Sequence, residues 1–173
     1  GTVYNSGTVD NSNPVAIELA QDPGNNNGWR SNLFVESSET EQILNKGFIV
    51  ESESEVYVSV RANSDGQQYQ AGALVSKGKS GLGTRFRAGM FQHQNTSHIG
   101  FISIMASEDL TQISFEFTKN IETLGGLKTP EAPLVVTLNK GESYILASQG
   151  GAGNELIGTL VSSNKPVVVN TGS

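Results

Sequence analysis

The chain contains no cysteine, only two histidines and one tryptophan, and no apolar run near the roughly 20 residues a membrane helix needs. The missing cysteine removes disulfides, thiolate metal sites and cysteine nucleophiles together, leaving packing and strand pairing to hold the fold. His93 and His98 are five residues apart, which on a strand puts them on opposite faces, so they make no zinc pair without further ligands. A serine hydrolase would need one of them as its base, and no Gly-x-Ser-x-Gly elbow occurs. A glycosidase needs two carboxylates in one cleft, and nothing selects a pair among the many glutamates. Helical periodicity is missing too: no ten-residue stretch keeps apolar residues at i, i+3, i+4 and i+7. No signal peptide is present, and the chain starts and stops inside a repeat, as expected of an internal or mature piece of a larger protein.

What is present points to strands. Valine and isoleucine come in short runs broken by glycine and asparagine, with abundant serine and threonine, the composition of an all-β protein. The hydrophobic fraction of 36% is low, so modest cores are expected. The template Gly-x-x-Val-x-Ser-x-x-x-Val-x-Val occurs as Gly47, Val50, Ser52, Val56, Val58 and again, 111 residues on, as Gly158, Val161, Ser163, Val167, Val169. That offset is too long for a propeller blade of about 40–50 residues or a solenoid rung of about 20–30. The expected architecture is an antiparallel β-sandwich in two related units, the first incomplete: residues 1–64 and residues 65–173.

Strands are expected around Pro14 to Ala20, Asn32 to Glu36, Phe48 to Glu51 and Glu55 to Arg61 in the first unit. In the second they fall around Thr84 to Met90, Ile99 to Ala106, Thr111 to Thr118, Leu134 to Leu138, Ser143 to Ser148, Leu156 to Val161 and Val167 to Asn170. Asn139-Lys140-Gly141 and Ser107-Glu108-Asp109-Leu110 read as hairpin turns.

The net charge of −6 is sorted along the chain. Between positions 36 and 55, Glu36, Glu39, Glu41, Glu51, Glu53 and Glu55 face only Lys46; between 61 and 87, Arg61, Lys77, Lys79, Arg85 and Arg87 face only Asp65. An acidic chain with one basic segment lacks the broad positive footprint of a nucleic-acid binder, yet has the makings of a local anion site.

Several segments carry a family resemblance. They are Lys46-Gly47-Phe48-Ile49-Val50 with Val56-Tyr57-Val58-Ser59-Val60-Arg61, and Ala73-Leu74-Val75-Ser76-Lys77-Gly78 with Leu82-Gly83-Thr84-Arg85-Phe86-Arg87. Further along come Phe101-Ile102-Ser103-Ile104-Met105-Ala106-Ser107-Glu108-Asp109, Thr137-Leu138-Asn139-Lys140-Gly141-Glu142-Ser143-Tyr144 and Ser163-Asn164-Lys165-Pro166 onward. Together they resemble the IgGFc-binding protein N-terminal domain family, closest to its bacterial branch in large secreted surface proteins of gliding Bacteroidetes. Where that family usually shows Glu-Asp-Asn-Thr, this chain has Glu108-Asp109-Leu110-Thr111. The resemblance implies a secreted or surface-displayed module of a long multidomain protein, often adhesive; no enzymatic activity is expected, because no constellation of residues meets the geometric tests for a catalytic site. No immunoglobulin-binding motif can be placed on it residue by residue.

Candidate sites follow from residue chemistry. Gly78-Lys79-Ser80 mimics the tail of a phosphate loop, but Ala73 stands where its first glycine belongs and Gly81-Leu82-Gly83-Thr84 cannot start a stable helix. Arg85 and Arg87 alternate with Phe86, so both project from one face about 7 Å apart. With Arg61 they form the first candidate for binding an acidic glycan or surface polymer through bidentate hydrogen bonds; the plainer alternative is ion pairing to Glu51, Glu53 and Glu55. Trp29, beside an asparagine-rich loop, is a candidate platform for a sugar ring, against the commoner role of packing. Asp22, Asn25 and Asn27 offer oxygens for calcium without EF-hand spacing; otherwise no cofactor is expected. The expected partners are a glycan or cell-surface polymer and neighbouring domains of the same protein, not nucleic acid or a membrane interior. The alternative function is a purely structural spacer.

Overall fold

The computed structural model describes residues 3, 5–17, 35–63, 71–75, 78–92, 95–97 and 99–172. Among them are eleven strands, all paired antiparallel, two 3-10 turns and no α-helix. The strands are β1 (Ile43–Leu44), β2 (Ser59–Asn63), β3 (Ala71–Val75), β4 (Gly83–Arg87), β5 (Phe101–Ala106), β6 (Thr111–Glu116), β7 (Ile121–Thr123), β8 (Gly126–Lys128), β9 (Leu134–Leu138), β10 (Ser143–Ala147) and β11 (Leu160–Gly172). Seven form one sheet in the order β1-β10-β5-β11-β6-β9, with β4 on the other edge of β11; β2–β3 and β7–β8 are separate two-stranded sheets.

The large sheet folds over on itself. The second half of β11, residues 167–172, pairs with β5, and its first half, residues 160–163, pairs with β6. Likewise β10 pairs with β5 while β9 pairs with β6. Each of the paths β5–β6, β9–β10 and β11 therefore crosses from one layer into the other. The two expected hairpins are corrected by this register: residues 107–110 and 139–141 do not fold their flanking strands against each other but carry them round a corner. The strands expected separately at Leu156 to Val161 and Val167 to Asn170 are one strand, bent where the register shifts between Ser162 and Val167. Pro166, with no N–H to give the ladder, sits at that bend.

At the corner, side chains take over from the ladder. Lys140 N–H donates to Asp109 Oδ1 (2.9 Å), Gln112 N–H to Asn164 Oδ1 (2.8 Å) and Asn139 N–H to Glu142 Oε2 (2.6 Å). Ser107 Oγ donates to the Pro166 carbonyl and Lys165 Nζ to that of Asp109. Gly141 and Leu110 both adopt the left-handed conformation, at φ 83 and 53. Much of the residue pattern that carries the family resemblance converges here, building the corner.

The core fills the space between the layers. Alternation on β5 buries Ile102, Ile104 and Ala106; β6 adds Ile113 and Phe115, β9 Leu138, β10 Tyr144 and Leu146, and β11 Val161 and Val167. Phe115 and Tyr144, from opposite layers, pack in a tilted pair with ring centroids 5.9 Å apart. Burial, with a smaller contribution from the charge of Glu41, pushes the Tyr144 hydroxyl up to about 12. The β7–β8 hairpin, too short to announce itself in sequence, closes one end with Ile121 buried and Asn154 bonded to both N–H and C=O of Glu122.

Residues 36–47 strap onto this body. Glu41 N–H donates to the Ile145 carbonyl (2.8 Å), β1 pairs with Tyr144 and Ser143, and Ser143 Oγ donates to the Lys46 carbonyl (2.7 Å). The Glu41 carboxylate accepts from Thr123 Oγ1 and Gly125 N–H and pairs with Lys128 at 2.7 Å, tying the strap to the β7–β8 turn. Gly47, at φ 138, lies where any Cβ would collide with Met105.

The two copies of the repeated template have different surroundings. Gly158 to Val169 runs into β11 and the core, whereas residues 48–58 form no strand and leave Val50 and Val56 exposed. The strand expected at Phe48 to Glu51 is absent, and that at Glu55 to Arg61 is replaced by β2, starting at Ser59; among the described residues no layer faces the exposed valines to make strand formation favourable. Residues 14–17 and 35–36 likewise lie outside any strand, and the rest of those two expected strands falls outside the described residues. The β2–β3 pairing spans the expected 64/65 boundary, and β1 joins the sheet of the later strands.

Candidate functional site

β4 presents its arginines as the alternation predicts. Phe86 packs against the core while Arg85 and Arg87 are exposed. Register carries the outward row across the layer: Arg85 opposes Ser162, Ser162 opposes Ser114, and Ser114 opposes Val135. Next to this row Gln112, Ser114, Ser162, Ser163 and Asn164 line a shallow cleft of about 150 Å³. The side chains of Gln112, Ser114 and Ser162 form no hydrogen bond to the described residues, while Asn164 and Ser163 are committed to the corner through Gln112 N–H and the Lys165 carbonyl.

The two arginines differ. Arg87 donates from Nη1 to the Gly158 carbonyl at 2.8 Å, which reinforces the β4–β11 junction, and Arg85 has no such bond. Neither forms a salt bridge with a described residue; of the acidic run, Glu51 pairs with Lys140 at 3.7 Å instead. Glu116 lies two strands from Arg87 across Leu160, about 10 Å away, at the limit of the positive zone. Among the described residues the face thus offers one guanidinium without a partner, a second partly engaged, and a run of uncommitted hydroxyl and amide groups. It suits a ligand bearing both negative charge and many hydroxyls.

Arg61 is exposed on β2, whose only ladder among the described residues is with β3, so no strand register there joins it to Arg85 and Arg87. Trp29, the calcium candidates Asp22, Asn25 and Asn27, and His93 and His98 lie outside the described residues. Gly78–Gly81 is an exposed 3-10 turn leading into β4, not the helix a phosphate loop requires. Sequence reasoning missed Gln112, Ser114, Ser162 and Asn164. They come from two strands 50 residues apart, and serine and asparagine are too common in this chain to mark a site.

Among the described residues no helix is long and apolar enough to cross a membrane, and no three His, Asp or Glu side chains are placed to hold a metal. Fold and face together define an all-β module with a polar, locally cationic surface. Residues 71–173, more than half of the chain, match the family described as IgGFc binding protein, and the chain belongs to that family. No curated protein and no solved structure matches it. The strap at residues 36–47 precedes the matched region yet is bonded into the same sheet.

Proposed function

We propose that this chain is a non-enzymatic, adhesive binding module of a large secreted or cell-surface protein, engaging an acidic glycan or surface polymer. The observation that carries this reading is the β4 face: Arg85 has no hydrogen-bond or ion-pair partner among the described residues and is in register with Ser162 and Ser114. Carboxylate or sulfate groups would lie against the guanidinium groups of Arg85 and Arg87, and sugar hydroxyls against Gln112, Ser114 and Ser162. Membership of a family named for a binding activity supports the coarse reading, and an extracellular setting fits it.

A spacer role is the second reading, favoured by Arg87, whose bond to Gly158 gives it a structural task. The acids Glu51, Glu53 and Glu55 make no ion pair with Arg85 or Arg87, which weighs against the basic segment serving only to dock on them. A glycan array at low salt, with immunoglobulin Fc as a further arm, separates the readings. Binding to acidic glycans that is lost in the Arg85→Ala, Arg87→Ala double variant supports adhesion. No glycan binding at any salt, with a lowered melting temperature in the variant, supports the spacer; binding to Fc that the variant retains would move the site elsewhere.

A further inference from the structure

The layer containing the polar face ends in two strands with opposite protection. On one side β4 carries Arg85 and Arg87, charges that discourage a further strand from pairing. On the other side β9, Leu134-Val135-Val136-Thr137-Leu138, is apolar apart from one threonine, is β-branched at its three central positions, carries no charge, and among the described residues pairs only with β6. Its outer backbone groups have no partner among the described residues, and Val135 is 52% exposed.

We infer that the β9 edge pairs with β9 of a second copy of this chain, extending one layer antiparallel across a two-fold axis. Face and register specify the arrangement. Leu134, Val136 and Leu138 point inward and Val135 and Thr137 outward, and directly opposed residues in an antiparallel pair share a face, so the axis must pass through a residue and not between two. Centring it on Val136 pairs the whole strand, with Leu134 opposite Leu138, Val135 opposite Thr137 and Val136 opposite itself. Charge agrees with this choice. Glu131 lies before β9 and Lys140 after it, both exposed, so antiparallel pairing brings Glu131 of each copy to the end that carries Lys140 of the other. A parallel arrangement would instead set like charges together.

The axis is perpendicular to the sheet, so both Arg85 side chains stay on one face, seven strand spacings or about 34 Å apart. A five-residue edge makes a small interface, below the roughly 1,200 Å² of stable complexes, so dissociation on the order of 10⁻⁵ M is expected.

Sedimentation velocity over a wide concentration range, on the full chain, tests the inference. The wild type should pass from monomer to dimer, and Val135→Lys, which places a charge on the exposed side of the edge, should weaken dimerisation at least about tenfold with an unchanged unfolding curve. Because the chain has no cysteine, a Val135→Cys, Thr137→Cys variant gives a second readout without background: oxidation should yield covalent dimer. Monomer at all concentrations, or a dimer that is indifferent to Val135→Lys and does not cross-link through these cysteines, would overturn it.

Discussion

Replacing Leu110 with asparagine should stabilise this protein, although it removes an apolar side chain. Leu110 sits at the sheet corner with φ 53, a conformation that costs a residue with a Cβ about 1–2 kcal/mol and that asparagine enters more readily than most. The side chain is 69% exposed, so little burial is lost, and the Leu110 N–H bond to Asn139 Oδ1 at 3.3 Å belongs to the backbone and survives the change. Recovering about half the penalty gives ~0.5–1 kcal/mol, a urea midpoint shift of about 0.3–0.5 M for a typical small domain. Glycine would relieve the same strain but gain about as much freedom in the unfolded chain, for a net near zero. Valine, β-branched, should be worse than leucine. Midpoints in the order asparagine, then glycine and leucine together, then valine are expected. A flat or reversed series would refute the claim that the corner holds Leu110 under strain.

Two further outcomes test the strap and the core. Glu41→Gln keeps an oxygen for Thr123 and Gly125 but leaves Lys128 largely buried without its partner, so equilibrium unfolding should show a loss of about 2–4 kcal/mol; Glu51→Gln, whose pair with Lys140 is long and exposed, should cost under about 0.5 kcal/mol. An equal cost for both would refute the strap as a bonded part of the fold. Tyr144, raised to about 12 in the folded protein, keeps its proton there after an unfolded tyrosine near pH 10 has lost its own. Its contribution is therefore fully present below about pH 10 and lost as pH rises toward 12. Phenolate absorbance should show one of the four tyrosines titrating late, together with a falling unfolding midpoint; Tyr144→Phe should flatten that fall.

Much of the strand inventory was legible because a half-buried strand writes its period into the sequence. Leu134–Leu138 and the start of β6 at Thr111 fall where alternation places them. Pairing was less legible. Asn139-Lys140-Gly141 has the local chemistry of a hairpin turn, and nothing local distinguishes a turn that doubles back from a corner that carries on. That choice is made by β5 and β6, about 30 residues away, which offer β10 and β9 their partners. Val56 shows the converse error, since the alternation is present but the side chain stays exposed and residues 55–58 form no strand. At the site, Arg85 and Arg87 were legible from their alternation with Phe86. Ser114 and Ser162 were not, because only strand register sets them beside Arg85. Glu41 looked like one acid among six until its positive φ and its bonds to the β7–β8 turn singled it out.

If the Arg85 face binds an acidic polymer as proposed, titration with a uronic-acid oligosaccharide at low salt should move the amide and side-chain NMR signals of that face. The expected result is saturable shifts confined to Arg85, Arg87, Gln112, Ser114 and Ser162, weakening as salt is raised and absent in the Arg85→Ala, Arg87→Ala variant. Saturable shifts clustered on another surface, or none from any acidic oligosaccharide while the variant merely loses stability, would contradict it.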